Sequence, residues 1–113
     1  ELVTPYIPDG CIHNFYTYNL LLPALWKGAL RDKLVELLAK EYGVGHAIHY
    51  LPCYHWKWLR EHGYSGKSTP VADSICYRSF CPSLHSLMTK YDIRYIASAI
   101  KATIQRIRKE VEI

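Results

Sequence analysis

The residues best equipped for chemistry are a histidine-tyrosine pair, His49-Tyr50, stopped by Leu51-Pro52, a further histidine at His55, and Tyr16 on an earlier aromatic stretch. An imidazole N–H can hydrogen-bond an anionic oxygen such as that of a phosphate, more strongly when the ring is charged. A phenol adds a second donor on a rigid ring. Because His49 and Tyr50 are neighbours, an extended backbone sends them to opposite faces, so one of them can meet a ligand while the other packs. His55 can reach the same surface across the proline turn, or cap a short helix beginning near Trp56. Tyr16 is either a ligand contact or a half-buried structural ring. His46, His62 and His85 lack such a pattern and read as solvated or locally bonded.

Two other chemistries are weighed against these. Cys11-Ile12-His13 and Cys53-Tyr54-His55 repeat a Cys-x-His spacing that a tetrahedral metal could use. Structural zinc sites ordinarily use Cys-x₂₋₄-Cys and His-x₃₋₅-His pairs, which bend round one ion, whereas the single residue inside each of these Cys-x-His pairs puts both side chains on one face of a strand. The thiols therefore read as small apolar groups, and no metal is expected. A cysteine nucleophile is equally unsupported, since no His-Asn or His-Asp partner can be placed from spacing.

The elements that must position these residues are marked by punctuation and periodicity. Residues 1–10, with Pro5 and Pro8, read as a connector, and 11–113 as one domain. Asn14 to Leu22 is aromatic and aliphatic and predicts a buried strand ended by Pro23. Leu30, Leu34, Leu37, Leu38 and Tyr42 recur at helical spacing, and Gly43 ends that helix because glycine accepts positive φ. Val44 to Tyr50 predicts the next strand, Trp56 to His62 a short helix, and Pro70 to Tyr77 another with proline in its first turn. Ile93, Ile96, Ile100, Ile104, Ile107 and Val111 form one stripe of a final helix, opened by a near capping box over Thr89-Lys90-Tyr91-Asp92. Together these give an α/β domain of the α+β type: a small sheet of about three strands covered by helices.

The order of motifs adds a resemblance. Arg31-Asp32-Lys33-Leu34 at the helix start, Gly43-Val44-Gly45-His46-Ala47-Ile48-His49-Tyr50 after it, and Gly63-Tyr64-Ser65-Gly66-Lys67-Ser68-Thr69-Pro70-Val71-Ala72-Asp73 resemble the C-terminal small domain of the DegT/DnrJ/EryC1/StrS family. His13-Asn14-Phe15-Tyr16-Thr17-Tyr18 is similar to the aromatic first strand of that domain. Each motif alone is weak, and the ordered set from Cys11 to Ala102 carries the likeness. Lys67-Ser68 and Arg78-Ser79-Phe80-Cys81-Pro82 depart from the family pattern.

The family's enzymes are pyridoxal-phosphate-dependent sugar aminotransferases of fold type I, so the resemblance implies a part in moving an amino group from an amino acid to a keto sugar in polysaccharide or deoxysugar biosynthesis. It implies that His49, Tyr50, His55 and Tyr16 face the cleft and contact a nucleotide-sugar, His49 near its diphosphate. The cofactor lysine and the groups that hold pyridoxal phosphate belong to a large domain with no counterpart in these residues. The resemblance thus implies a large PLP-binding domain as partner, a homodimer in the complete enzyme, and no cofactor or activity on this chain alone.

Composition sets the remaining bounds. With 113 residues, 50% apolar and 21% charged, the chain is long enough for one core and too apolar for disorder. No apolar run approaches the ~20 residues of a membrane span. The N-terminus shows no signal-peptide pattern, and the four cysteines do not form a disulfide scaffold, so reduced thiols and a cytoplasmic setting are expected. The net charge of +4 gathers partly on Lys101, Arg106, Arg108 and Lys109, where it complements a helix C-terminus. Two alternatives stand beside the aminotransferase reading: an interaction or regulatory module of the same fold, and a basic nucleic-acid-binding module, which lacks any RRM, KH or zinc-finger pattern.

Overall fold

A computed structural model describes residues 2–26, 28–65 and 69–111. Gly66, Lys67 and Ser68 of the Gly-Tyr-x-x-Gly stretch lie outside the described residues. A three-stranded antiparallel sheet stands at the centre, in the order β1 (Leu20–Leu21), β3 (Ser79–Pro82), β2 (His46–Ala47). Leu20 pairs with Phe80 and Leu21 with Ser79, while His46 pairs with Pro82 and Ala47 with Cys81. Val3 adds a bridge to the free side of Leu21, with Val3 N–H to the Leu21 carbonyl at 2.9 Å and the return bond at 3.0 Å. The expected α+β architecture is what the chain forms.

The helices form where periodicity and caps agree. Helix α1 (Ala29–Tyr42) buries Leu34, Val35 and Leu38, and it ends where Gly43 takes φ 63°, ψ 20°. The Gly43 N–H then reaches the Ala39 carbonyl and the Val44 N–H the Leu38 carbonyl, satisfying groups that the helix end leaves open. Helix α4 (Lys90–Val111) opens on a capping box: Thr89 Oγ1 accepts from the Asp92 N–H at 3.2 Å, and Asp92 Oδ2 accepts from the Thr89 N–H at 2.7 Å. Its stripe meets α1 and the sheet through Ile100 and Ile107, with Ile96 and Ile104 at the margin and Ile93 and Val111 exposed. Each fully buried aliphatic side chain contributes about 1.5–3 kcal/mol. Trp26, Leu22 and Phe80 complete the core.

Both predicted strands are shorter than their composition suggests. In place of a strand over Asn14–Leu22, only Leu20–Leu21 pair. The side chains explain why: His13 Nδ1 accepts from the Phe15 N–H at 2.7 Å, Asn14 Oδ1 accepts from the Tyr16 N–H at 3.1 Å, and Phe15 sits at φ 50°. These local bonds take the backbone donors that a ladder would have used. Of Val44–Tyr50, only His46–Ala47 pair with β3, and the contact extends backwards as a single bond from the Ser83 N–H to the Gly45 carbonyl at 3.0 Å. That central strand falls in the Arg78–Pro82 stretch, which the sequence marked only as a departure from family pattern.

Two smaller elements lie between β2 and β3 in the chain. After a 3₁₀ turn at Cys53–His55, helix α2 (Lys57–Leu59) runs into wider turns through Tyr64, losing helical geometry at His62 and at Gly63, φ 81°. Helix α3 (Pro70–Arg78) follows, with proline in its first turn as expected. Arg31 of α1 is buried and donates through one guanidinium nitrogen to the carbonyls of Cys76 and Ser79, at 3.1 and 3.2 Å, while its Nε meets Asp32 at 2.6 Å. A positive group thereby caps the C-terminal end of α3 and ties it to α1.

Candidate functional site

His49 lies just past β2, beyond the last ladder pair, and it is exposed. It borders two adjoining recesses. The larger, about 500 Å³, is walled by His49 and Tyr50, by Tyr6 and His13 of the N-terminal stretch, and by Cys76 and Ser79 at the junction of α3 and β3. The smaller, about 270 Å³, has His49 again with Tyr16, His46, Cys81 and Ser83. Thr17 also borders both, so the ridge between the recesses carries His49 and Thr17. Tyr50 is 72% exposed and its ring centroid is 6.2 Å from that of His49.

Three of the expected residues, His49, Tyr50 and Tyr16, thus gather on one face. His55 stands apart. Its Nε2 shares a hydrogen bond of 2.8 Å with the Tyr77 hydroxyl, and Trp56, not His55, precedes α2. Beside it the Tyr54 hydroxyl donates to Asp73 Oδ1 at 2.6 Å, and the Thr69 hydroxyl donates to the same oxygen at 3.0 Å. The bond to Asp73 holds the Tyr54 proton, and with partial burial and the negative charge nearby it pushes the phenol up to about 12. The same bond, with that from Thr69, lowers the Asp73 carboxyl.

Sequence reasoning passed over several residues of the recesses. His46 was read as an ordinary surface histidine and His13 only as a metal candidate, yet both line the walls. A signal was present for His46, which stands three residues before His49 on the one segment, Val44–Tyr50, that predicts a strand. The Tyr54–Asp73 and His55–Tyr77 pairs join residues 19 and 22 positions apart, which no local spacing reveals.

The donor set decides what the face can do. Imidazoles, phenols, hydroxyls and a thiol line both recesses, and among the described residues no lysine or arginine walls either of them. Such a face can hydrogen-bond anionic or hydroxyl oxygens and stack against a ring. It supplies no amine for a Schiff base and no fixed cation for a cofactor phosphate, so pyridoxal phosphate does not fit these residues as its own site. Among the described residues no group of three or more His, Cys, Asp or Glu could hold a metal ion.

The sequence matches the DegT/DnrJ/EryC1/StrS aminotransferase family over residues 3–101, and the chain belongs to that family. Among solved structures, the fold is similar to an aminotransferase, TlmJ from Streptoalloteichus hindustanus, with a TM-score of 0.76 at 22% identity over 94% of this chain. The chain spans 27% of the length of that structure. No curated protein sequence matches it.

Proposed function

We propose that this chain is the C-terminal small domain of a pyridoxal-phosphate-dependent nucleotide-sugar aminotransferase, with residues 1–10 as the connector from a large domain and 11–113 as the domain itself. The observation that carries the reading is the joining of family membership over residues 3–101 with the gathering of His49, Tyr50 and Tyr16 on one open face. In this reading His49 donates to a diphosphate oxygen from the ridge between the recesses. Tyr50 and Tyr16 add phenol donors on either side.

Pyridoxal phosphate, when bound to the complete enzyme, supplies the electron sink for amino transfer. This chain's residues orient the sugar nucleotide and close one side of the cleft. The lysine and phosphate-holding groups belong to the large domain, the complete enzyme is a homodimer, and its setting is cytoplasmic. Among the described residues no helix is long and apolar enough to cross a membrane. The cationic tip of α4 is partly engaged internally: Arg106 pairs with Glu110 and Glu41, and Lys33 with Glu110. That pairing favours the aminotransferase reading over nucleic-acid binding.

The test is amino transfer to a keto sugar nucleotide by a polypeptide that joins this chain to a large domain with a cofactor lysine. His49→Ala should raise KM about tenfold, as expected for a lost charge-assisted bond, with a smaller change in kcat. The 113-residue chain by itself should show no lysine-linked cofactor absorbance band. Such a band in the pure chain, or an unchanged KM in the variant, contradicts the proposal.

A further inference from the structure

Residues 53–64 bury no side chain completely: Trp56 and Trp58 are more than half exposed, and Tyr54 and Leu59 are half-buried. With so little apolar burial, side-chain hydrogen bonds contribute much of what holds the segment to the domain. At its start, Pro52 is buried and fixes the entry. At its far end, Gly63 with φ 81° breaks the winding. Between these points, two side-chain hydrogen bonds reach one face of α3: Tyr54 to Asp73 at 2.6 Å and His55 to Tyr77 at 2.8 Å. Asp73 and Tyr77 are four residues apart on a helix and so are stacked neighbours, which makes the two bonds a paired attachment.

We propose that residues 53–64 form a strap latched to α3 by the Tyr54–Asp73 and His55–Tyr77 bonds, able to swing away as a unit while the packed body stays folded. The Tyr54 bond is the stronger latch, because its acceptor is a carboxylate that Thr69 also orients. The lowered Asp73 carboxyl and raised Tyr54 phenol agree with a bond favouring one proton arrangement. Internal bonds let the strap keep its form when released: Trp56 N–H to the Cys53 carbonyl, Arg60 N–H to the Trp56 carbonyl, and Trp58 stacked on His62 at 4.0 Å. Because the strap begins three residues after Tyr50, its position governs where Trp56 and Trp58 stand relative to the recess that Tyr50 borders. His55 is then a positioning residue and not a ligand contact. The inference stands on the latch geometry and is independent of the substrate assignment.

Amide hydrogen exchange read by mass spectrometry on the 113-residue chain tests the idea. Tyr54→Phe removes one donor from an exposed segment and leaves the core intact, and His55→Gln provides a second, milder variant. Exchange in peptides spanning 53–64 should rise about tenfold in Tyr54→Phe, less in His55→Gln and most in the double variant, with peptides from α1 and α4 unchanged. Unchanged exchange across 53–64 in the double variant would show that other contacts hold the strap and would overturn the proposal. Uniform acceleration along the whole chain would overturn it too, since the bonds would then support the global fold.

Discussion

The face where α1 and α4 meet and the face that carries His49 are built by different rules from similarly apolar sequence. On the first, Leu34, Leu38, Ile100 and Ile107 are buried, and position follows from the 3.6-residue period. On the second, Tyr16 and Tyr50 are more than half exposed, and position follows from side-chain hydrogen bonds, a left-handed residue and short ladders. The packed face resists change because every side chain shares its neighbours' volume. The ringed face tolerates change and leaves donors free to meet a ligand. In the proposed reading, stability and recognition thus fall on different faces, and substitutions on the two should have different consequences.

The largest effect is expected on the packed face. Ile100→Asp places an unpaired carboxylate in the core, and with a net stability of about 5–15 kcal/mol for a domain it should unfold the chain, seen as loss of the cooperative thermal transition. Leu38→Ala leaves a cavity and should cost about 2–5 kcal/mol in a denaturant titration, with the fold retained. If either variant melts like the parent, the division between faces is wrong.

The cap of α4 gives a smaller effect with a pH signature. Thr89 bonds lower the Asp92 carboxyl from its ordinary value of 3.8, so the folded state holds that proton less tightly than the unfolded one. The stabilisation is therefore full above that ordinary value and fades as pH falls through the lowered one. Asp92→Ala should lower Tm by a few degrees near neutrality, and the gap from the parent should close in strongly acidic solution. A gap that stays constant, or widens in acid, would count against the capping box. The smallest stability effect belongs to the open face, where His49→Ala should leave Tm within about a degree, as for surface substitutions generally.

How much of this was legible in the sequence follows the same division. The stripe of α4, its Thr89–Asp92 box, the Gly43 turn and Pro70 at the start of α3 could all be read, because each rests on contacts within one helical turn. The stretch Asn14–Leu22 misled, since its rings read as strand formers while His13 and Asn14 were bonding its backbone locally. β3 was missed because Arg78–Pro82 has no alternation, and its place at the sheet centre is fixed by partners more than 30 residues away, Leu20 and Ala47 among them. Of the four residues expected from motif order, His49, Tyr50 and Tyr16 gather on one open face and His55 stands apart on Tyr77. His46, His13 and the latch on α3 arise from tertiary placement, which spacing does not encode.

The most direct measurement is a titration of the isotopically labelled 113-residue chain with a nucleoside diphosphate sugar, following the His49 imidazole and the Tyr50 and Tyr16 rings by NMR. The account predicts saturable shifts at these rings, little change along α1 and α4, and affinity weakened about tenfold in His49→Ala. Shifts confined to the basic end of α4, or saturable binding that His49→Ala leaves untouched, would contradict it.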